Sequence, residues 1–182
     1  MSSPVKALQI AVVPAALALG ALAYEAQVDN IGSTTPARSL ATLAYAWAFI
    51  GAGLVAWVRR KGNRLGPLMV VVGFAMLLRQ FRYSFDAATF TAFYALGDLA
   101  YALFTHAVLA YPTGRVTDRL ERAYLVVAYS VAVVFPLAIL VFYDGGTLRY
   151  FDPRPHENLL LVTGSPDVVL CLLYTSPSPR DS

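Results

Sequence analysis

The sequence predicts an all-α integral membrane protein: a bundle of about five complete transmembrane helices plus the start of a sixth. Composition is the first observation behind this. Hydrophobic residues make up 58 % of the chain and charged residues only 14 %, with a mean hydropathy of +0.58. A soluble domain carries about 25 % charged residues, so this chain cannot cover its surface in water and lipid must solvate part of it. The second observation is segmentation, because apolar runs close to the ~20 residues that a span needs recur between short polar loops. The third is charge placement, with Lys and Arg gathered in alternate loops.

Taken in order, the spans fall at 5–24, 40–58, 67–85, 90–110 and 123–143, and a sixth starts at 167 with "DVVL". The third reaches full length only if "RQFRYSF" forms its outer end. The loop "RRKGNRLG" contributes Arg59, Arg60, Lys61 and Arg64 to one side of the membrane, and "YPTGRVTDRLER" adds Arg115, Arg119 and Arg122, with Lys6. The other side holds fewer cations and most of the acids, so the N-terminus and both basic loops face the cytoplasm. The first span has a rival reading as a secretory signal ending in "ALA" before Tyr24, although its positive region is the single Lys6.

Helix punctuation agrees with this segmentation. Pro112 and Gly114 stop the fourth helix, and Asp118 with Glu121 three residues later forms a cap for the fifth. Pro14 and Pro136 fall inside spans, where neighbouring helices can satisfy the freed backbone. Two small-residue pairs, Ala16/Gly20 and Ala48/Ala52, suit close helix contacts.

Asp98 is the one acid deep within a span, and a carboxylate there needs a named partner. Spans three and four turn near residues 86–89, so their residues pair by equal distance from that turn. Arg79 lies about seven residues before it and Asp98 about nine after it, which at 1.5 Å per residue puts both ~10–15 Å below the outer surface. Arg82 is one turn shallower. An Asp98–Arg79 or Asp98–Arg82 contact is therefore expected, acting either as a structural pair or as a sensing, proton-responsive switch; the remaining reading has Asp98 lining a cavity without a cationic partner. His106 lies two turns from Asp98 on roughly the same side, where a hydrogen-bonded interior histidine and a pH sensor are both open readings. The long outer loop 144–166, with His156, could bind an external ligand or serve as a lid.

No catalytic signature appears: the sequence has no Walker A loop, HExxH, GxSxG or Rossmann glycine pattern. Metal ligation is not expected, because no second His or Cys stands at ligand spacing within the spans. The sole cysteine, Cys171, excludes a disulfide framework, and a net charge of +3 gives no basis for nucleic-acid binding. Spans broken by Gly or Pro in two matching halves, as in transporters, are also missing.

Three stretches, "RRKGNRLGPLMVVVGF", "HAVLAYPTGRVTDRLERAYLVVAY" and "ENLLLV", together resemble the N-terminal membrane region of bacterial two-component sensor histidine kinases. In that family a basic turn with Asn-x-x-Gly precedes one span, and "H-x-x-L-A-[FY]-P-[ST]-G-R" ends another. The matching positions here are Asn63 and Gly66, and His106, Pro112, Gly114 and Arg115. The resemblance implies that residues 1–170 form a sensory input domain in the cell membrane. It also implies a last span leading to a helical dimerisation segment with the phosphorylated histidine, then an ATP- and Mg-dependent kinase domain. Neither output segment is in this sequence. Implied partners are the lipid bilayer, a second copy as a homodimer of the full-length parent, and a response regulator reached through the missing domain. A free-standing multi-span membrane protein, transporter-like or structural, and the membrane sensor of a cyclase are the alternative readings.

The ending "CLLYTSPSPRDS" departs from everything before it. Residues 171–181 resemble, without a mismatch, the translation of a transposase adapter used in sequencing-library preparation. On that reading 171–182 is a non-native tail, native sequence stops at Leu170 and the chain is a fragment.

Overall fold

Backbone amides in so apolar a chain have to be satisfied internally, which in lipid leaves helices or closed barrels. The computed structural model describes residues 3–30, 36–60, 62–84, 86–143 and 158–173. Among them all regular structure is helical: α1 (Ser3–Asn30), α2 (Pro36–Arg59), α3 (Leu65–Leu78), a 3₁₀ helix at Arg79–Tyr83, α4 (Ala87–Gly97), α5 (Leu99–Leu109), α6 (Arg119–Phe142) and α7 (Pro166–Leu173). Five stretches are long and apolar enough to cross a membrane: Val5–Val28, Ser39–Arg59, Leu65–Tyr83, Ala87–Leu109 and Arg119–Phe142. Lys61, Phe85, His156 with outer-loop residues 144–157, and the ending from 174 onward lie outside the described residues.

Two expected spans differ in form. Span three changes pitch after Leu78, and its C-terminal end is the 3₁₀ helix over "RQFRY". Span four is two helices, α4 and α5, joined at Asp98, which accepts backbone hydrogen bonds from Tyr101 at 3.0 Å and Ala102 at 3.4 Å. Both irregularities sit at the charged residues. The first helix runs past Tyr24 to Asn30, because "EAQVDN" holds no helix breaker.

Small residues decide how closely the spans approach. A Cβ on Gly53 would stand 2.8 Å from the Val70 nitrogen, and one on Gly66 would stand 2.5 Å from the Trp57 nitrogen. The α2 and α3 backbones therefore touch at those two positions, as small residues permit. Ala16 and Gly20 are buried as expected: the Trp47 indole lies across Gly20, and its Nε1 donates to the Ala16 carbonyl at 3.1 Å. Ala48 and Ala52 are instead exposed among the described residues. Two apolar cores result. One joins α1, α2 and α3 around Leu43, Ile50 and Leu77, and the other joins α4, α6 and α7 around Phe90, Leu140 and Val169.

Candidate functional site

Three polar constellations stand out in this apolar framework. The first lies at the turn between α3 and α4. Asp86 caps α4, its Oδ2 accepting from the Thr89 amide at 2.8 Å and the Thr89 hydroxyl at 2.7 Å. These donors hold the exposed Asp86 carboxyl below the usual carboxylate range. The chain then descends to Asp98, whose Oδ1 lies 3.5 Å from Arg79 Nε and 3.9 Å from Arg82 Nη1. Both arginines that the depth argument named therefore face the one carboxylate.

The contact is ionic rather than a tight hydrogen bond. At 3.5 Å it exceeds the ~2.7–2.9 Å of a charge-assisted bond, and the buried Arg79 Nε has no hydrogen-bond acceptor among the described residues. Aromatic rings complete the surroundings. The Arg79 guanidinium sits 4.6 Å from the centre of the Tyr101 ring, and that of Arg82 sits 5.2 Å from Tyr94 and 5.4 Å from Tyr83. Gly97 makes room for this, since a Cβ there would come within 3.2 Å of Arg79 Cγ. Beside the arginines, Gln80 accepts from Gln27 Nε2 at 2.7 Å and donates to the Met76 carbonyl at 3.0 Å, and both glutamines are 3 % exposed.

Depth alone did not reveal Gln27, Gly97 or the tyrosines. Gln27 had a usable signal: it is a polar residue just beyond the expected first span, at the end of α1 that meets Gln80. Gly97 had none, because its role depends on where the Arg79 stem passes.

His106 forms the second constellation. Its Nδ1 lies 3.1 Å from the Tyr129 hydroxyl of α6, and the two rings meet edge to face at 6.1 Å. This couples α5 to α6 in the half of span four away from Asp98.

The third constellation joins the "RRKGNRLG" and "YPTGR" loops. Asn63 Nδ2 donates to the Pro112 carbonyl at 2.9 Å, and its Oδ1 accepts from the Leu65 amide at 2.8 Å. One side chain thus caps the start of α3 and holds the loop after α5. Gly114 adopts φ +73°, and a Cβ there would meet the Leu65 nitrogen and Asn63 Oδ1. Its own amide closes α5 on the Ala110 carbonyl at 2.7 Å. Arg115 bonds locally, its amide donating to the Thr113 hydroxyl at 3.3 Å. Asp118 caps α6 through the Leu120 amide at 3.1 Å.

A comparable clamp closes the opposite end of the bundle. Asn158, from the "ENLLLV" stretch, donates to the Leu140 and Tyr143 carbonyls at the end of α6, while the Leu159 amide donates to Thr91 Oγ1 of α4 at 3.2 Å.

Among the described residues, no group of three or more His, Cys, Asp or Glu is placed to hold a metal ion. Compared with known proteins, the chain matches no family model, no curated protein and no solved structure.

Proposed function

We propose that residues 1–170 are the membrane-embedded, signal-sensing input module of a bacterial sensor histidine kinase. The five long apolar helices cross the cell membrane as a bundle with the N-terminus in the cytoplasm, and α7 opens a sixth span leading toward the output domains. The observation that carries the sensing role is the arrangement at Asp98. An acid at a break in span four faces two arginines on a 3₁₀ segment of span three, at distances too long to lock the pair. Protonating the acid, or binding an anion beside the arginines, would change the balance between two helix arrangements of similar energy, which a switch requires. A kinase output rests on the three resembling stretches, and the docking of Asn63 onto Pro112 and Gly114 gives two of them a shared structural purpose. ATP and Mg would belong to the output domain.

The test is to recover the contiguous reading frame beyond Leu170 and express the whole protein in membranes. Phosphorylation is then followed with labelled ATP for the wild type and for Asp98→Asn. A histidine-linked phosphate is expected, with a rate that Asp98→Asn changes several-fold at equal protein level. A cyclase domain, or a stop codon within a few residues, overturns the kinase reading. Equal rates in the two proteins overturn the role of Asp98 in sensing.

A further inference from the structure

At the membrane face that carries the N-terminus, an open groove of about 490 Å³ lies between α1 and α2. Its walls are apolar: Ile10 on α1 faces Leu54, Val55 and Val58 on α2. Its mouth is cationic, with Lys6 near the start of α1 and Arg59 at the end of α2, and no acid among the described residues lines it. Gln9 lines the groove as well, and its Nε2 has no hydrogen-bond partner among the described residues. Val13 and Leu17 continue the Ile10 face of α1 toward the membrane centre at 50 % and 57 % exposure. A larger groove between α5 and α6, about 710 Å³, carries Glu121 in its lining and lacks this charge pattern.

We propose that the α1–α2 groove is a binding site for an anionic phospholipid. The phosphate of the headgroup sits between Lys6 and Arg59, and one acyl chain lies against Ile10, Val55 and Val58 and runs on along Val13. Three features favour this occupant over a neutral lipid or a second protein chain. Two uncompensated cations sit at headgroup depth, as basic pockets between spans require. The apolar wall begins within one turn of them, so one amphipathic molecule satisfies both. Gln9, polar and uncharged, lines the boundary between the two zones. The site needs only that α1 and α2 cross the membrane, and it does not depend on the output domain.

The experiment is native mass spectrometry of the full chain in detergent, titrated with dioleoyl phosphatidylglycerol or, in parallel, dioleoyl phosphatidylcholine. Phosphatidylglycerol is expected to bind preferentially, with one molecule retained. Lys6→Gln and Arg59→Gln should each weaken it about fivefold, the effect expected for one basic residue at a lipid surface. Arg115→Gln and Arg119→Gln, charges outside the groove, should leave it unchanged. Val55→Trp fills the groove without altering charge and should remove the retained molecule, with thermal unfolding showing that the variant still folds. Equal loss from the Arg115 and Arg119 variants would reduce the effect to diffuse surface charge and overturn the site. So would an unchanged preference in the Lys6/Arg59 double variant, or a protein dimer forming in place of lipid retention.

Discussion

The two ends of the α3–α5 unit are fastened by different chemistry. At one end Asp98 meets Arg79 and Arg82 through long side chains at 3.5 and 3.9 Å, with tyrosine rings around the guanidinium groups. At the other, Asn63 uses both ends of a short amide at 2.8 and 2.9 Å, against a glycine that has no room for a Cβ. Short groups bonded to backbone leave one geometry available. Long charged groups among rings can keep most of their attraction while shifting by an ångström, because Coulomb energy falls slowly with distance. The Asn63 end therefore suits a fixed fulcrum and the Asp98 end an adjustable contact.

Breaking the fulcrum should have the largest effect. Gly114→Ala places a Cβ against the Leu65 amide in a backbone region that disfavours side chains, and should cost about 3 kcal/mol, seen as a lower thermal midpoint in detergent. Removing one partner of the adjustable contact should cost less. Asp98→Asn or Arg79→Gln is expected to lose about 1–2 kcal/mol, between an exposed and a buried ion pair. The charge-swapped protein, with Asp98→Arg and Arg79→Asp together, should recover part of that loss. If the swap behaves as the sum of two damaging changes, the pairing carries no coupling energy.

Asn63 offers a finer division of the fulcrum. Asn63→Ala loses both hydrogen bonds and should cost about 1–2 kcal/mol. Asn63→Asp keeps the acceptor for Leu65 but sets a carboxylate oxygen against the Pro112 carbonyl, so its loss should be at least as large as that of Asn63→Ala. Tyr129→Phe removes only the hydroxyl next to His106 and is expected to cost about 1 kcal/mol or less, since the edge-to-face ring contact remains.

The smallest effect is at Asp86. Its carboxyl is held below the ordinary carboxylate value by Thr89, so its capping contribution is present above that ordinary value. It fades as pH falls through the lower folded value. Thr89→Ala should move the Asp86 titration, followed by carboxyl-carbon NMR, back toward that of a free side chain.

Much of this arrangement is legible in the sequence because it is local or set by depth. Span positions follow from apolar run length, and the Asp118 cap follows from residue type at the start of α6. The meeting of Asp98 with Arg79 and Arg82 follows from counting residues either side of a turn. What stayed hidden depends on packing between segments distant in the chain. Asn63 and Pro112 are 49 residues apart and Gln27 and Gln80 are 53 apart, and no periodicity links such pairs. Likewise, the sequence offers Ala16/Gly20 and Ala48/Ala52 as equivalent, and only the packed helices bury the first and expose the second.

The sequence alone thus determined an all-helical chain with five segments long and apolar enough to span a membrane, because hydropathy and helix capping act through neighbours along the chain. The tertiary structure decided the change of pitch at Arg79, the break at Asp98 and the docking of Asn63 on the loop after α5. Those features depend on where a glycine lets two backbones or a side-chain stem pass, and that is a property of pairs of helices rather than of any one of them.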